Sequence, residues 1–489
     1  MLRAMRAGGA TRFTHRAFFR QRARMQIAET FGDEGFDVPR RYFAAVAILV
    51  GVFMSALDSA IVNIALPTIS ADLRVSAASV IWVANGYQVA SAATMLTCAS
   101  LGSRIGERRF YTIGLVLFTI SSLGCGLSTT FGALVAMRIL QGVSYAMLIS
   151  VGYGLYRVIF PSGSLGTVFG INALVFAVGT AVGPALGGLI VSWASWPWLF
   201  YINVPFGMAA IAFSITALGK DTHRERGFDV PGAVTSAAAF GLFALAVDQI
   251  GRWSDRTVLV LGAASLVLMV SFCVGQARAA YPLLPLDIFR SRRYTFAVLT
   301  SVTMFVSQGM ALVALPFVMQ HTYAYGVLKS ALVFTPWPIA VAVCAPFAGR
   351  LANRINATQL SSSGVLIFCI GMGSLMWLPA QPTAGDFMWR VALCGVGYGF
   401  FLPPNNKEMF ANAARNRTAT ASGVLSTART TGQSIGAALV AVVIALVGGA
   451  SGGGGDGGRQ FPVYVFALAC AISGLSLVAS IARVYRQRG

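Results

Sequence analysis

Long apolar segments recur along the chain from residue 42 to residue 482, separated by short polar connectors. Hydrophobic residues make up 56% of the 489 residues and charged residues only 11%, whereas a soluble domain carries about a quarter charged residues. A soluble fold of this length could not bury so much apolar surface. A bilayer can, because one spanning helix needs about 20 mostly apolar residues. The sequence therefore predicts an all-α integral membrane protein.

We count fourteen candidate spanning helices. They cover residues 42–66, 80–101, 110–128, 131–156, 166–192, 197–218, 231–249, 257–276, 294–318, 330–351, 360–379, 387–404, 419–448 and 461–482.

The positions of the basic residues support this count, since Lys and Arg concentrate in cytoplasmic loops. With a cytoplasmic N-terminus, 28 of the 36 Lys and Arg fall in cytoplasmic tails and connectors, 6 in outside connectors and 2 within segments. A bias sustained over successive connectors predicts an even number of spans in the inner membrane of the cell, with both termini cytoplasmic. The net charge of +20 then reflects orientation rather than nucleic acid binding.

Two six-helix halves and two inserted helices account for the fourteen segments. The basic connector 101–106 after the second segment resembles the connector 349–354 after the tenth, which indicates a duplicated half. Duplicated halves are a common transporter plan, with the substrate site where they meet near the midplane. The predicted parts are a basic, disordered cytoplasmic tail (1–41), the first half (42–218), the insert and linker (219–293), the second half (294–482) and a second cytoplasmic tail (483–489).

Three ionisable residues fall well inside the apolar segments: Asp58, Arg138 and Arg429. An ionisable side chain in hydrocarbon is costly, so each is a functional candidate. A carboxylate at the depth of Asp58 can bind a proton and release it when its surroundings change, as a proton-coupled carrier requires. The alternative is a structural carboxylate satisfied by amides or an arginine. For the two arginines, the alternative is a side chain that reaches the membrane surface.

Glycines and polar residues inside the segments indicate a packing surface and a cavity. Gly179, Gly183 and Gly187 recur every four residues, and with Gly188 and Pro184 they indicate close helix packing at a moving interface. A mostly apolar cavity with a few polar groups suits amphipathic organic solutes. The candidates for lining it are Asn63, Trp82, Tyr87, Gln88, Gln141, Tyr145, Phe305, Gln308, Asn405, Asn406, Arg429 and Gln433. For any single one of these, helix packing is the competing interpretation.

Several of these segments resemble signatures of the major facilitator superfamily, and within it those of the fourteen-span drug:proton antiporters, a multidrug exporter family. The resemblance covers nearly all of 42–482. Residues 57–67 resemble the first-helix signature, 138–142 the fourth-helix motif, 179–188 the fifth-helix antiporter motif and 196–207 the sixth-helix signature. The fold that this resemblance implies is the major facilitator fold of two six-helix halves, here with two inserted helices.

The chain departs from this family in its gate loop, the connector between the second and third segments. That loop contains Arg104, Gly106, Arg108 and Arg109. Ser103 stands where the family has an aspartate before an arginine, and Asn353 stands at the same place in the second half. In the family, this motif locks the cytoplasmic gate through charge contacts, so the two departures put the gating mechanism in question.

The resemblance implies a proton-driven exporter of small amphipathic organic compounds or drugs that works by alternating access. Asp58 would bind the proton, and Arg138 would adjust the proton affinity of Asp58. The implied partners are a small-molecule substrate, protons and the bilayer. The resemblance is also compatible with a periplasmic adaptor protein as a further partner. The sequence shows no nucleophile–base set, metal cluster or cofactor motif, which argues against an enzyme. A proton–solute symporter and a membrane sensor that has lost transport are the alternatives.

Overall fold

The computed structural model of the protein describes residues 35–219, 227–248, 255–284, 286–379, 381–413, 418–450 and 457–485. All regular secondary structure in these ranges is helical. The long helices are α1 (Arg40–Asp72), α2 (Trp82–Ile105), α3 (Glu107–Leu127), α4 (Phe131–Ile159), α5 (Leu165–Trp193), α6 (Asn203–Ala217), α7 (Val230–Asp248), α8 (Asp255–Arg278), α9 (Arg292–Phe317), α10 (Pro336–Leu351), α11 (Ala357–Ser374), α12 (Ala384–Asn412), α13 (Thr418–Ala450) and α14 (Gly457–Tyr485). Short helices over Ala77–Val80, Trp198–Tyr201 and Val327–Phe334 precede α2, α6 and α10.

Each of the fourteen predicted segments overlaps one of these helices. Eleven of the helical stretches in the described residues are long and apolar enough to cross a membrane. The long helices that do not meet this standard are α2, α12 and α13, which carry polar residues such as Gln88, Asn406 and Arg429. Fourteen spans therefore stays a prediction, whereas a multi-pass helical membrane protein is what the described residues show.

Local sequence signals set several helix ends. Gly106 separates α2 from α3 with a φ of 109°, a conformation that only glycine adopts without strain. The Asn356 side chain accepts hydrogen bonds from the first backbone N–H groups of α11, as an N-cap does. At the start of α12, Thr383 and Asp386 form a capping box. The hydrogen bonds from the Thr383 side chain and backbone lower the pKa of Asp386.

The same set of helix pairs occurs twice in the packing. α1 contacts α5 and α6, α2 contacts α4, and α3 contacts α4 and α6. Eight helices further on, α9 contacts α13 and α14, α10 contacts α12, and α11 contacts α12 and α14. A duplicated six-helix unit predicts this recurrence. We refer to α1–α6 and α9–α14 as the two halves.

The inserted helices lie beside the first half. α7 packs against α8 and α2, and the Thr97 hydroxyl on α2 donates to the Ala233 carbonyl on α7 at 3.4 Å. The Ser265 hydroxyl on α8 donates to the Ala239 carbonyl on α7 at 2.8 Å. Apolar side chains on the far side of α8, such as Leu266 and Val267, are exposed, as expected for a lipid-facing helix.

We call the end of the bundle where α1 begins the basic end. Gly106, residues 160–164 and residues 352–356 lie at the same end. The hydrogen bonds that the described residues form between the halves lie toward it. There α5 lies so close to α10 that a methyl group on Gly166 or Gly349 would overlap backbone atoms of the other helix. The Arg157 guanidinium donates to the Ala413 carbonyl at 2.7 Å. The two halves are thus in direct contact at this end.

The start of the chain differs in part from the predicted disordered tail. Residues 1–34 lie outside the described residues. Phe36, however, donates its backbone N–H to the Ile159 carbonyl at 2.8 Å, and its ring lies 4.7 Å from the Arg108 guanidinium carbon. Helix α1 then begins at Arg40, two residues before the predicted segment. The last part of the predicted tail is therefore packed on the basic end.

Candidate functional site

Asp58 and Arg138 form an ion pair in the interior of the first half. Asp58 lies on α1 with 0% of its surface exposed, and Arg138 lies on α4 with 1% exposed. Arg138 Nη1 is 2.7 Å from Asp58 Oδ2. The two ionisable residues that the sequence selects for proton coupling are thus in direct contact, and their charges neutralise each other.

Amide and carbonyl groups form the remaining hydrogen bonds of this ion pair. Gln141 Nε2 and Asn203 Nδ2 each donate to Asp58 Oδ1 at 2.9 Å. Arg138 Nε donates to the Val83 carbonyl at 2.8 Å, and Arg138 Nη1 also donates to Gln141 Oε1 at 2.5 Å. A buried ion pair persists only when further hydrogen bonds replace the lost hydration of both charges. α1, α2, α4 and α6 all contribute to this cluster.

Aromatic rings flank the Arg138 guanidinium and extend toward the second half. Its carbon lies 4.5 Å from the Tyr87 ring centroid and 5.7 Å from that of Phe200, both cation–π distances. The Tyr87 ring lies 5.5 Å from the Tyr145 ring. The Tyr87 hydroxyl is buried and has no hydrogen-bond partner among the described residues. A continuous series of contacts therefore joins Asp58 to Tyr145.

Tyr145 belongs to a cavity between the halves. The residues lining it are Tyr145, Ile149, Tyr153, Phe305, Leu402, Asn406, Leu425, Ser426, Arg429 and Thr430. Four predicted cavity residues, Tyr145, Phe305, Asn406 and Arg429, are thus brought together. The Arg429 guanidinium carbon lies 4.3 Å from the Phe176 ring centroid. In the described conformation the free space in this cavity is about that of one water molecule, while its aromatic rings and few polar groups are of the kinds that line the binding sites of amphipathic solutes.

The other predicted cavity residues have different surroundings. Gln433 Nε2 donates to Gln308 Oε1 at 3.1 Å, which joins α13 to α9. Asn405 Nδ2 donates to Ser301 Oγ at 2.7 Å, so this amide holds α12 to α9 instead of lining the cavity. Gln88 is exposed on α2, and Trp82, the first residue of that helix, is half-buried. The side chain of Asn63 lies outside the described residues.

The glycine stripe of α5 packs against α1 within the first half. A Cβ on Gly183 would lie 2.6 Å from the Ala60 Cβ, and one on Gly179 would lie 2.9 Å from the Ala56 Cβ. Gly187 faces Ile61 in the same way, whereas Gly188 has open space around it. Residue 184 lies within α5, but its side chain is outside the described residues. The stripe therefore packs against the turn of α1 that carries Asp58. The close contact between the halves involves other glycines of α5.

The gate loop makes aromatic contacts. The Arg104 guanidinium carbon lies 6.0 Å from the Phe228 ring centroid, Arg108 faces Phe36 as described above, and Arg109 is exposed. In the second half, Asn353 bridges the halves, because its Oδ1 accepts from the Gly166 N–H at 3.2 Å and its Nδ2 donates to Thr167 Oγ1 at 2.9 Å. Neutral hydrogen bonds thus join the halves at one of the positions where the family has an aspartate.

The sequence reasoning missed three contacts of the Asp58–Arg138 cluster: the amide of Asn203, the Phe200 ring, and the Ser122 hydroxyl, which accepts from Gln141 Nε2 at 2.7 Å. Asn203 was detectable in principle, since it is a lone amide in an apolar stretch. Phe200 lies within residues 196–207, which resemble the sixth-helix signature, but nothing in that stretch indicates a contact with Arg138. Ser122 carries no signal, because small hydroxyl residues are common in helices of this kind.

A bundle of long apolar helices in two similarly packed groups, with a buried ion pair and a mostly apolar cavity between the groups, is the architecture of a multi-pass membrane transporter. The chain belongs to the Major Facilitator Superfamily, whose family model matches residues 48–437. This confirms the superfamily that the signatures predict. Members of this family are transporters and generally not enzymes.

Known proteins similar to this chain support the same assignment. An uncharacterized transporter of Escherichia coli, YebQ, is 41% identical over 82% of this chain and 88% of its own length. The tetracenomycin C resistance and export protein of Streptomyces glaucescens is 33% identical over 79% of this chain and 73% of its own. The crystal structure of the human organic anion transporter MFSD10 matches with a TM-score of 0.66 and 12% identity, covering 91% of this chain and all of that one. That structural match concerns the fold alone.

Proposed function

We propose that the protein is a proton-coupled exporter of small amphipathic organic compounds. The observation that carries this proposal is the Asp58–Arg138 pair, fully buried and in contact with the aromatic residues that lead to the cavity. Export is supported by a similar protein that is described as a resistance and export protein. The glycine motif of α5, which resembles an antiporter motif, supports the same direction.

A proton on Asp58 would act through Arg138. Protonation removes the charge that holds Arg138 Nη1 at 2.7 Å, so the guanidinium is left to its contacts with Gln141, the Val83 carbonyl and the Tyr87 ring. A shift of Arg138 then moves Tyr87 against Tyr145 at the cavity wall. Binding of the proton and binding of the solute thereby oppose each other through four contiguous side chains, those of Asp58, Arg138, Tyr87 and Tyr145. Such a competition is what exchange of one for the other requires.

We also place the basic end of the bundle on the cytoplasmic side of the inner membrane. The bias of Lys and Arg toward the tails and connectors at that end supports this orientation. The described conformation is then closed toward the cytoplasm, since Asn353 and Arg157 join the halves there. Alternating access would proceed by separation of these contacts.

Transport into membrane vesicles of both orientations tests the proposal. The probes are fluorescent aromatic dyes with anionic, neutral or cationic head groups. We expect at least one dye to accumulate in inside-out vesicles that are acid inside, and a protonophore to collapse that accumulation. Accumulation in right-side-out vesicles under an inward proton gradient would show a symporter instead. No accumulation of any dye in either orientation, with the protein present and folded, would favour a sensor.

A further inference from the structure

The charge of the cavity between the halves is positive. Arg429 is the only charged residue among the described residues that line the cavity. The other intramembrane arginine, Arg138, is neutralised by Asp58 at 2.7 Å. The pair contributes no net charge, so a solute in the cavity meets one uncompensated guanidinium.

The surroundings of Arg429 supply rings and hydroxyl groups in place of a carboxylate. Within the described residues, Arg429 has no salt bridge. The phenol side chains of Tyr398, Tyr153 and Tyr145 lie around it, with Tyr153 in hydrogen-bond contact, and Phe176 lies against its face. A guanidinium stays charged at any physiological pH, and Arg429 is half-buried, so its charge loses part of its hydration without gaining a counter-ion. An anion bound in the cavity would supply that counter-ion.

A second polar atom in the same cavity lacks a partner. Asn406 lines the cavity with 2% of its surface exposed, and its Oδ1 accepts no hydrogen bond from the described residues. Buried polar groups are normally satisfied. This amide lies on α12, whereas Arg429 lies on α13, so the two groups approach the cavity from different helices. They could contact two points on one solute.

We propose that this cavity selects organic anions with an aromatic body, with Arg429 binding the anionic group and Asn406 a donor group on the same molecule. The rings of Tyr145 and Phe305 would contact the aromatic body. Arginine binds carboxylate and phosphate groups through two parallel hydrogen bonds. This inference rests on the proposed transport function, whose substrate class it specifies.

Equilibrium binding to the purified full-length protein in nanodiscs tests the inference without a proton gradient. The probes are 6-hydroxy-2-naphthoate and the matching 6-hydroxy amide and 6-hydroxy methylammonium, which share one ring system and one hydroxyl donor and differ in charge. We expect the dissociation constant of 6-hydroxy-2-naphthoate to be at least about tenfold lower than that of either other probe. Arg429→Gln should abolish this preference, and Arg429→Lys, which retains the charge, should preserve most of it.

The matched control is Arg292→Gln, which removes an exposed arginine from the same half and should leave the preference unchanged. Thermal unfolding of each variant establishes that it is folded. Equal or tighter binding of the neutral or cationic probe to the wild-type protein would overturn the inference, as would an undiminished anion preference in folded Arg429→Gln. Because binding is measured at equilibrium, these results do not depend on whether Asp58 couples transport to protons.

Discussion

At the scale of single residues, Asp58 is stable in an apolar helix because its neighbours both neutralise and solvate it. Arg138 supplies the positive charge, and Gln141 and Asn203 supply two N–H donors to the second carboxylate oxygen. Removing one charge leaves the other without compensation. The stability of the fold and the proposed proton chemistry therefore depend on the same side chains.

Arg138→Gln should lower the free energy of unfolding by about 3–5 kcal/mol, because it leaves the Asp58 carboxylate buried and unpaired. The double variant Asp58→Asn, Arg138→Gln should recover most of this loss, since neither charge remains. Thermal unfolding in detergent, followed by intrinsic fluorescence, measures both. A double variant less stable than Arg138→Gln alone would contradict the role of charge compensation.

At the scale of helices, the α1–α5 contact depends on glycines at particular positions. Gly183→Ala would bring a methyl group to 2.6 Å from the Ala60 Cβ and should destabilise the protein by about 1–3 kcal/mol through overpacking. Gly188→Ala, five residues along the same helix, meets no atom within 4 Å. It should be neutral or slightly stabilising. Equal unfolding temperatures for the two variants would show that the stripe does not require glycine.

Asn353 joins α5 to the second half at the basic end, so its loss should favour opening there. Asn353→Ala removes two hydrogen bonds between the halves, each contributing about 1 kcal/mol. Their sum of about 2 kcal/mol corresponds to a population change of roughly thirtyfold. Spin labels on cysteines introduced at Ser162 and Ile355 report the separation of the halves by electron–electron double resonance. Gln359→Ala, at an exposed position of the same end, is the control. Unchanged distance distributions in Asn353→Ala would rule out this role.

At the scale of the whole molecule, the sign of the cavity charge determines how the membrane potential acts on transport. Inward movement of one proton and outward movement of one monovalent anion transfers two charges per cycle, each contributing roughly 2.3 kcal/mol per 100 mV. Transport of 6-hydroxy-2-naphthoate should therefore produce a current in proteoliposomes on a solid-supported membrane. An electrically silent exchange would contradict either the one-to-one exchange or the anionic cargo.

The sequence predicted the features that depend on composition and missed those that depend on distant partners. Apolar length located each helix, and the cost of a charge in hydrocarbon singled out Asp58 and Arg138 before their contact was known. Nothing local distinguishes Asn405, which holds α12 to α9, from Asn406, which faces the cavity. The Asn353 bridge was likewise unpredictable, because its partners lie more than 180 residues away.

Proton movement driven by the substrate tests the central proposal most directly. Proteoliposomes containing the protein and a trapped pH-sensitive dye are given a gradient of whichever aromatic probe is transported. We expect probe movement in one direction to drive proton movement in the other, and Asp58→Asn to abolish the proton signal. Asp72→Asn, the same substitution at an exposed position of α1, should retain it. Full proton movement in folded Asp58→Asn would contradict the account.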